Sequence, residues 1–151
     1  MESAAAYDAN GVALGAPEKT VLTRFPSARC QPLQWKSRAA DRRCDDAKIS
    51  FGGVNARITF YLKHDKVEAF DVSFDTKDAE RVAKFLKSQY GAPSAETRDK
   101  IENPGSASHE IYKLRWDKGA EHAVMTALME KRRATLSVSR GNFEEEIYRI
   151  Q

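Results

Sequence analysis

The feature that most constrains the fold is an alternation of apolar and polar residues over positions 56–74, interrupted once by a short polar stretch at 64–66. A period of two is typical of a β-strand with one buried face, so two such runs around a polar connection predict a β-hairpin. The apolar positions that would share the buried face are Ile58, Phe60, Leu62, Phe70, Val72 and Phe74. An isolated hairpin cannot shelter so many large side chains, so another element must pack over this face.

Two helices are predicted on either side of this hairpin. Between Pro17 and Pro26, the residues favour a helix of two to three turns. A second helix is predicted over 77–90, where an apolar stripe recurs at helical spacing and Gly91 provides the stop. The stripe consists of Ala79, Val82, Ala83, Leu86 and Tyr90.

Further strands are predicted in the C-terminal third. Alternation predicts strands at 111–116 and 135–140. The segment 120–130 has a composition that favours a helix but lies between a turn and a strand, and we assign it as a strand. Residues 142–150 can form a last short helix with Asn142 as its cap.

This order predicts an α+β fold: short helices packed on a mainly antiparallel sheet of about five strands. The order is α-β-β-α-β-β-β, to which residues 142–150 can add a C-terminal helix. With 151 residues in total, the chain has room for a single domain. We place that α+β domain at 14–151, after a flexible N-terminal lead at 1–13, and we expect 92–108 to be an exposed connection.

Cys30 and Cys44 are the only cysteines, and both lie in one polar segment with little apolar periodicity. A bridge between them would close a loop of about 15 residues and contribute on the order of 3 kcal/mol. Two unrelated buried thiols would lie in apolar runs, and a zinc site would need two further ligands at metal spacing. We therefore predict a disulfide and, with it, a periplasmic or secreted location.

The N-terminal residues 1–10 contain neither the basic nor the apolar region of a signal peptide. Two interpretations remain: a cytoplasmic protein, or an exported protein whose signal peptide has been removed and which carries an added Met1. Small residues and a polar lead-in favour the second. No stretch approaches the roughly 20 apolar residues of a transmembrane helix.

Several short motifs resemble those of a known family. Residues 11–17 read Gly-Val-Ala-Leu-Gly-Ala-Pro before a helix, and residues 90–93 repeat the Gly-Ala-Pro ending. Together with the hairpin at 58–67, they resemble the SmpA/OmlA (BamE-like) group of small bacterial envelope domains over residues 11–93. The resemblance implies a non-catalytic periplasmic module that binds another envelope protein, and it identifies no binding residues. The chain departs from the group in its cysteine pair, its extra C-terminal β section and the lack of a lipidation cysteine at its start.

The sequence predicts no catalytic residue, no metal site and no cofactor. The histidines are His64, His109 and His122, and the predicted strand pairing places the last two too far apart to share a metal. No His-Glu-x-x-His zinc motif and no Gly-x-Ser-x-Gly nucleophile motif occurs.

Basic residues concentrate around Trp35 in the segment 29–48, and again at Lys131–Arg133 on a predicted hairpin tip. The net charge of +3 is too small to demand a nucleic-acid partner. A lone indole in a polar segment is a common interface anchor, although covering the core is an equal alternative here. The candidate interaction surface is Trp35, Lys36, Arg38, Arg42 and Arg43.

These observations predict an exported, non-enzymatic module that binds another envelope protein and no nucleic acid. One alternative is a ligand-binding domain or enzyme with a pocket between sheet and helices. Its polar groups would come from Tyr61, Asp71, Tyr112 and His122. A second alternative is nucleic-acid binding through the basic 29–48 loop, which would show a steep salt dependence.

Overall fold

The fold is described from a computed structural model of the chain. The structure describes residues 6–101, 105 and 109–149. In this part of the chain, an eight-stranded antiparallel sheet is accompanied by a two-stranded hairpin and three short helices.

The elements in chain order are β1 (Asp8–Ala9), β2 (Val12–Ala13), α1 (Glu18–Arg24), β3 (Arg29–Pro32), β4 (Arg42–Phe51), β5 (Val54–Lys63), β6 (Lys66–Phe74), α2 (Ala79–Tyr90), β7 (Ala95–Ile101), β8 (His109–Lys118), β9 (Glu121–Leu128), β10 (Arg133–Arg140) and α3 (Phe143–Glu146). The strand order in the large sheet is β3-β4-β5-β6-β10-β9-β8-β7. Single 3-10 turns precede α2 and β10, at Thr76–Asp78 and Met129–Lys131.

One face of the large sheet forms the main hydrophobic core. The six alternating residues of the predicted hairpin are all buried on this face, which confirms that part of the sequence interpretation. Apolar residues of α1, α2 and the β1–β2 hairpin belong to the same buried cluster, for example Val21, Leu86 and Val12. These elements therefore cover one side of the sheet.

The opposite face, which we call the polar face, carries the residues that alternate with the core residues. Strand pairing sets these residues in rows that run across the sheet. One row is Asp45, Thr59, Asp71, Ser137, Val124 and Arg115. A second, smaller apolar cluster, which includes Tyr61, Phe143 and Ile147, covers one end of the polar face.

The prediction of an α+β fold with about five strands is wrong, because the structure is mostly β and its main sheet has eight strands. The four strands predicted from alternation are confirmed as β5, β6, β8 and β10, and the segment assigned as a strand from its position is confirmed as β9. These five strands occupy the centre of the sheet. The strands that were missed are β3 and β4 at one side, β7 at the other, and the separate β1–β2 hairpin.

The missed strands lack a clear hydrophobic alternation for physical reasons. In β4, the register shifts between Asp46 and Ile49, so its burial pattern loses the period of two. In β7, residues 95–100 are exposed on both faces, as suits a charged edge strand. The expected connection at 92–108 is thus corrected to a strand at Ala95–Ile101, and its residues 102–104 and 106–108 lie outside the described part.

The expected flexible lead also differs from what the structure describes. Residues 8–13 form the β1–β2 hairpin, and Tyr7, Ala9 and Val12 are buried in the main core. The Tyr90 hydroxyl donates a hydrogen bond to the backbone oxygen of Asp8 (2.7 Å). This hairpin therefore belongs to the fold, while residues 1–5 lie outside the described part.

The predicted C-terminal helix is present but short. It covers only Phe143–Glu146, and the side chain of Asn142 makes no capping hydrogen bond; its backbone oxygen accepts from Glu145 and Glu146 instead. Within the described residues, every helix is too short or too polar to cross a membrane.

Candidate functional site

The predicted disulfide joins Cys30 and Cys44, which are directly paired on β3 and β4 (S–S 1.98 Å). It ties the outermost strand of the sheet to its neighbour. In the described part of the chain, Glu18 and these two cysteines form a group with potential metal-ligand atoms within 4.8 Å of one another. Since both sulfurs are consumed by the disulfide, they offer no thiolate to a metal.

Trp35 lies in the segment between β3 and β4 and holds the C-terminal end of the chain. Its indole N–H donates to the backbone oxygen of Ile147 (2.8 Å). Its ring stacks on Tyr148, with centroids 5.7 Å apart and planes inclined by 19°. Tyr148 itself is 73% exposed. Trp35 therefore covers part of the smaller cluster and supports an exposed aromatic ring.

The cations of the predicted surface divide into two groups. Lys36 and Arg38 are exposed beside Trp35. Arg42 forms an ion pair with Glu18 at the start of α1 (2.7 Å), and hydrogen bonding to this carboxylate raises the pKa of Arg42. Lys36 and Arg38 are thus exposed, whereas the Arg42 guanidinium is engaged by Glu18.

Arg43, the remaining predicted residue, turns towards the polar face. It forms an ion pair with Asp45 (2.7 Å), and its guanidinium lies 5.7 Å from the centroid of the Tyr61 ring. Hydrogen bonding to Asp45 raises the pKa of Arg43. Arg43 is therefore held beside Tyr61 on the polar face by its ion pair with Asp45.

A groove of about 200 Å³ lies between the polar face and the C-terminal segment. Tyr61 and Asp71, two of the four residues expected to converge, both line it. Its remaining lining residues are Ala69, Ser137, Val138, Ser139, Phe143, Glu144, Ile147 and Tyr148. The groove therefore offers hydroxyl and carboxyl groups between aromatic walls.

Burial controls the electrostatics of this groove. Desolvation raises the pKa of Asp71, and a hydrogen bond with Ser137 only partly opposes the rise. Burial also raises the pKa of Tyr61, and the nearby Asp71 adds to this effect. A cationic or hydrogen-bond-donating group that entered the groove would stabilise the Asp71 carboxylate.

Tyr112 and His122, the other two residues of that expectation, lie elsewhere. Tyr112 is buried on the core face, and its hydroxyl donates to Glu96 (2.7 Å). Burial, followed by this hydrogen bond, raises the pKa of Tyr112 to about 12. His122 lines a separate cleft, with its Nδ1 2.7 Å from Asp117.

His122 lies in one row with Ser139 and Asp117, an order that resembles a catalytic triad. Hydrogen bonds from Arg115 and His122 lower the pKa of Asp117 to about 2, so this carboxylate is charged. Among the described residues, however, no hydrogen bond joins Ser139 to His122, and Ser139 is buried. The geometry of the row is that of a histidine–aspartate hydrogen bond beside a buried serine.

Tyr148 is the main site residue that sequence reasoning missed. In the sequence, Tyr148 lies in a charged C-terminal stretch, two residues after Glu146. No local pattern there indicates a stacking partner. The pairing with Trp35 spans 113 positions and is produced only by the fold.

Comparison with known proteins yields no family for this chain. No family model matches it, and no match was found among the curated proteins or the solved structures compared. The function is therefore argued from the geometry of the site.

Proposed function

We propose that the protein is an exported, non-enzymatic module that binds another protein of the cell envelope. The binding site is the surface made by Trp35, Tyr148, Lys36 and Arg38, which we call the aromatic–basic surface. The single observation that carries the proposal is the stacked Trp35–Tyr148 pair, in which a largely exposed tyrosine is held in place by a partly buried tryptophan.

Ordering side chains at an interface costs conformational entropy. Tyrosine and tryptophan dominate interface energies because they bury a large area and carry few rotatable bonds. The indole of Trp35 is already fixed by its hydrogen bond to Ile147. Less conformational entropy is therefore lost when a partner covers this pair.

The charge beside the aromatic pair indicates the chemistry of the partner. Lys36 and Arg38 are exposed next to Trp35. Cations at the rim of an interface accelerate association with a surface of opposite sign. We therefore expect the partner to present an acidic segment.

The cellular compartment is part of the same proposal. The disulfide supports export to an oxidising compartment, because such bonds persist there and are rare in the cytosol. A non-catalytic envelope module is also what the resemblance to the SmpA/OmlA group implies, and membership of that group stays a prediction.

Site-specific photo-crosslinking in cells tests this function. A photoreactive residue replaces Tyr148 in one strain and Leu22 in the control strain, since Leu22 is also exposed (39%) but lies on α1. We expect a discrete crosslinked partner at position 148 only. The adduct should be lost with Lys36→Glu/Arg38→Glu and retained with the charge-matched control Lys84→Glu/Lys118→Glu. The same adduct at both positions, or none at 148, would contradict the proposal.

The groove supports a second candidate function, binding of a small molecule. The observation in its favour is that Tyr61, Asp71 and Ser137 all line this groove. Its volume of about 200 Å³ is below the range of drug-sized sites, so it suits a ligand of amino-acid size. A thermal-shift screen of small amines against wild type and Asp71→Asn tests this: stabilisation confined to wild type supports the candidate, and equal shifts in both reject it.

A further inference from the structure

The polar face has a second, open end that the proposed function does not use. A cleft of about 820 Å³ lies there, between β5, β6, β10 and the turn that precedes β10. Its polar lining residues are Asn55, Arg57, Asp71, Ser73, Asp75, Lys131, Arg132, Arg133 and Thr135. This cleft contains the basic cluster Lys131–Arg133 that the sequence analysis singled out.

The cleft is lined by more basic than acidic side chains. Four cations face two carboxyl groups, those of Asp71 and Asp75. Arg132 lies 3.5 Å from Asp75. Within the described residues, Arg57, Lys131 and Arg133 have no ion-pair partner closer than 4.0 Å. The cleft therefore carries an excess of positive charge that an anion can neutralise.

Strand register places hydroxyl groups between two of these arginines. Arg57 pairs directly with Ser73, and Ser73 pairs directly with Thr135, so the three lie side by side on the polar face. Arg133 lies two residues before Thr135 on β10 and therefore on the same face. With strands about 4.8 Å apart, Arg57 and Thr135 lie about 10 Å apart, and the two long arginine side chains can reach a group held between them.

The turn before β10 holds the cations at the mouth of the cleft. Arg132 adopts a left-handed backbone conformation (φ 54°), which is costly for a residue with a side chain. This conformation ends the 3-10 turn at Met129–Lys131 and starts β10 at Arg133. Three successive basic residues are thereby fixed at one corner of the sheet.

We propose that this cleft binds a small phosphate-bearing anion, either a phosphate ester or an oligophosphate. The planar guanidinium groups of Arg57 and Arg133 match phosphate oxygens in bidentate geometry, and Ser73 and Thr135 donate from their hydroxyls. The volume falls within the range of small-molecule sites, so an organic group attached to the phosphate also fits. This site is independent of the aromatic–basic surface.

Isothermal titration of the full chain with inorganic tripolyphosphate tests the proposal. Wild type should bind, and Arg57→Gln/Arg133→Gln should weaken binding by roughly tenfold or more, because each removes a charge-assisted contact. The control Lys84→Gln/Lys118→Gln removes the same charge from exposed positions outside the cleft and should change the affinity by less than about threefold.

Amide chemical shifts of wild type provide a second measurement that needs no variant. Tripolyphosphate should shift the amides of Ser73 and Thr135 and leave those around Tyr148 unchanged. Absence of binding by wild type, or equal weakening in the control pair, would overturn the proposal. A single-stranded oligonucleotide that binds more tightly than tripolyphosphate at equal phosphate concentration would also overturn it, since the site would then be one for nucleic acid.

Discussion

Asp45 and Asp71 lie on either side of Thr59 in one row of the polar face, yet their pKa values move in opposite directions. Burial alone would raise the pKa of Asp45, but hydrogen bonds from Arg43 and from the Thr59 hydroxyl (2.6 Å) hold it below its usual value. Asp71 is more deeply buried, and burial raises its pKa. One carboxyl group is thus stabilised in its charged form and the other in its neutral form.

Asp71→Asn is expected to stabilise the protein at neutral pH. Because the pKa of Asp71 is higher in the folded state, the folded protein retains a proton that the unfolded chain releases, and stability falls as the pH rises from about 4 through the folded-state value. Because Asp71→Asn removes the ionisable group, the variant does not lose this stability as the pH rises. Urea unfolding should show it more stable than wild type at about pH 7 and equal to it at about pH 3. Lower stability at both pH values would contradict the role given to burial.

Asp45→Asn is expected to act in the opposite sense and serves as the matched control. The pKa of Asp45 is lowered on folding, so its stabilising contribution is present above about pH 4 and is lost as the pH falls through the folded-state value. The substitution should cost about 1 kcal/mol at neutral pH, after allowance for partial exposure. In acid, the same urea titrations should show equal free energies of unfolding for Asp45→Asn and wild type.

The central strands could be predicted from sequence because their two faces differ. Residues such as Phe60 and Phe70 pack on the core face, while Thr59 and Asp71 lie on the polar face. The sequence therefore shows the alternation of apolar and polar residues directly. In the edge strand β7, residues 95–100 are exposed on both faces, and their sequence is typical of a loop. Edge strands form because a neighbouring strand offers free backbone groups, a signal that composition does not carry.

The candidate site was predictable to a similar extent. The pairing of Cys30 with Cys44 could be predicted because they are the only cysteines. Trp35 could be singled out because it is a lone aromatic residue in a polar segment. The stacking partner Tyr148 and the groove residue Ser137 come from distant parts of the chain. Their positions depend on strand order, which local patterns do not determine.

Gly52→Ala and Gly119→Ala form a pair that separates backbone strain from steric overlap. Both glycines have φ of 60° in tight turns between strands. A Cβ at Gly52 would lie 2.8 Å from the Phe85 ring, whereas one at Gly119 would have no atom within 4 Å. We expect Gly119→Ala to cost about 1 kcal/mol from backbone strain, and Gly52→Ala to cost about 1–3 kcal/mol more.

Chemical denaturation of both alanine variants measures this difference. Phe85→Ala removes the ring atoms that lie at 2.8 Å, so Gly52→Ala should cost less in a Phe85→Ala background than in wild type. Equal destabilisation by the two single substitutions would mean that the Phe85 ring moves aside freely.

Trp35 and Tyr148 are expected to be energetically coupled. Trp35→Phe keeps an aromatic ring but removes the hydrogen bond to Ile147, and should cost about 1 kcal/mol. Trp35→Ala also removes the stack and should cost about 1 kcal/mol more. A double-mutant cycle with Tyr148→Ala should yield a coupling free energy of about 0.5–1.5 kcal/mol. Hydrogen exchange should be faster in residues 143–149 of Trp35→Ala; a coupling of zero would show that the stack does not stabilise this segment.

The disulfide is expected to stabilise the fold by restricting the unfolded chain and to hold β3 locally. Cys30→Ser/Cys44→Ser should lower the free energy of unfolding by about 3 kcal/mol, since the bridge closes a loop of about 15 residues. Native-state hydrogen exchange should show β3 opening most, because Arg29–Pro32 pairs with β4 alone. Reductant should lower the stability of wild type and leave the double variant unchanged. If reductant leaves wild type unchanged as well, the two sulfurs are not bonded, and the proposal of an oxidising compartment loses its main support.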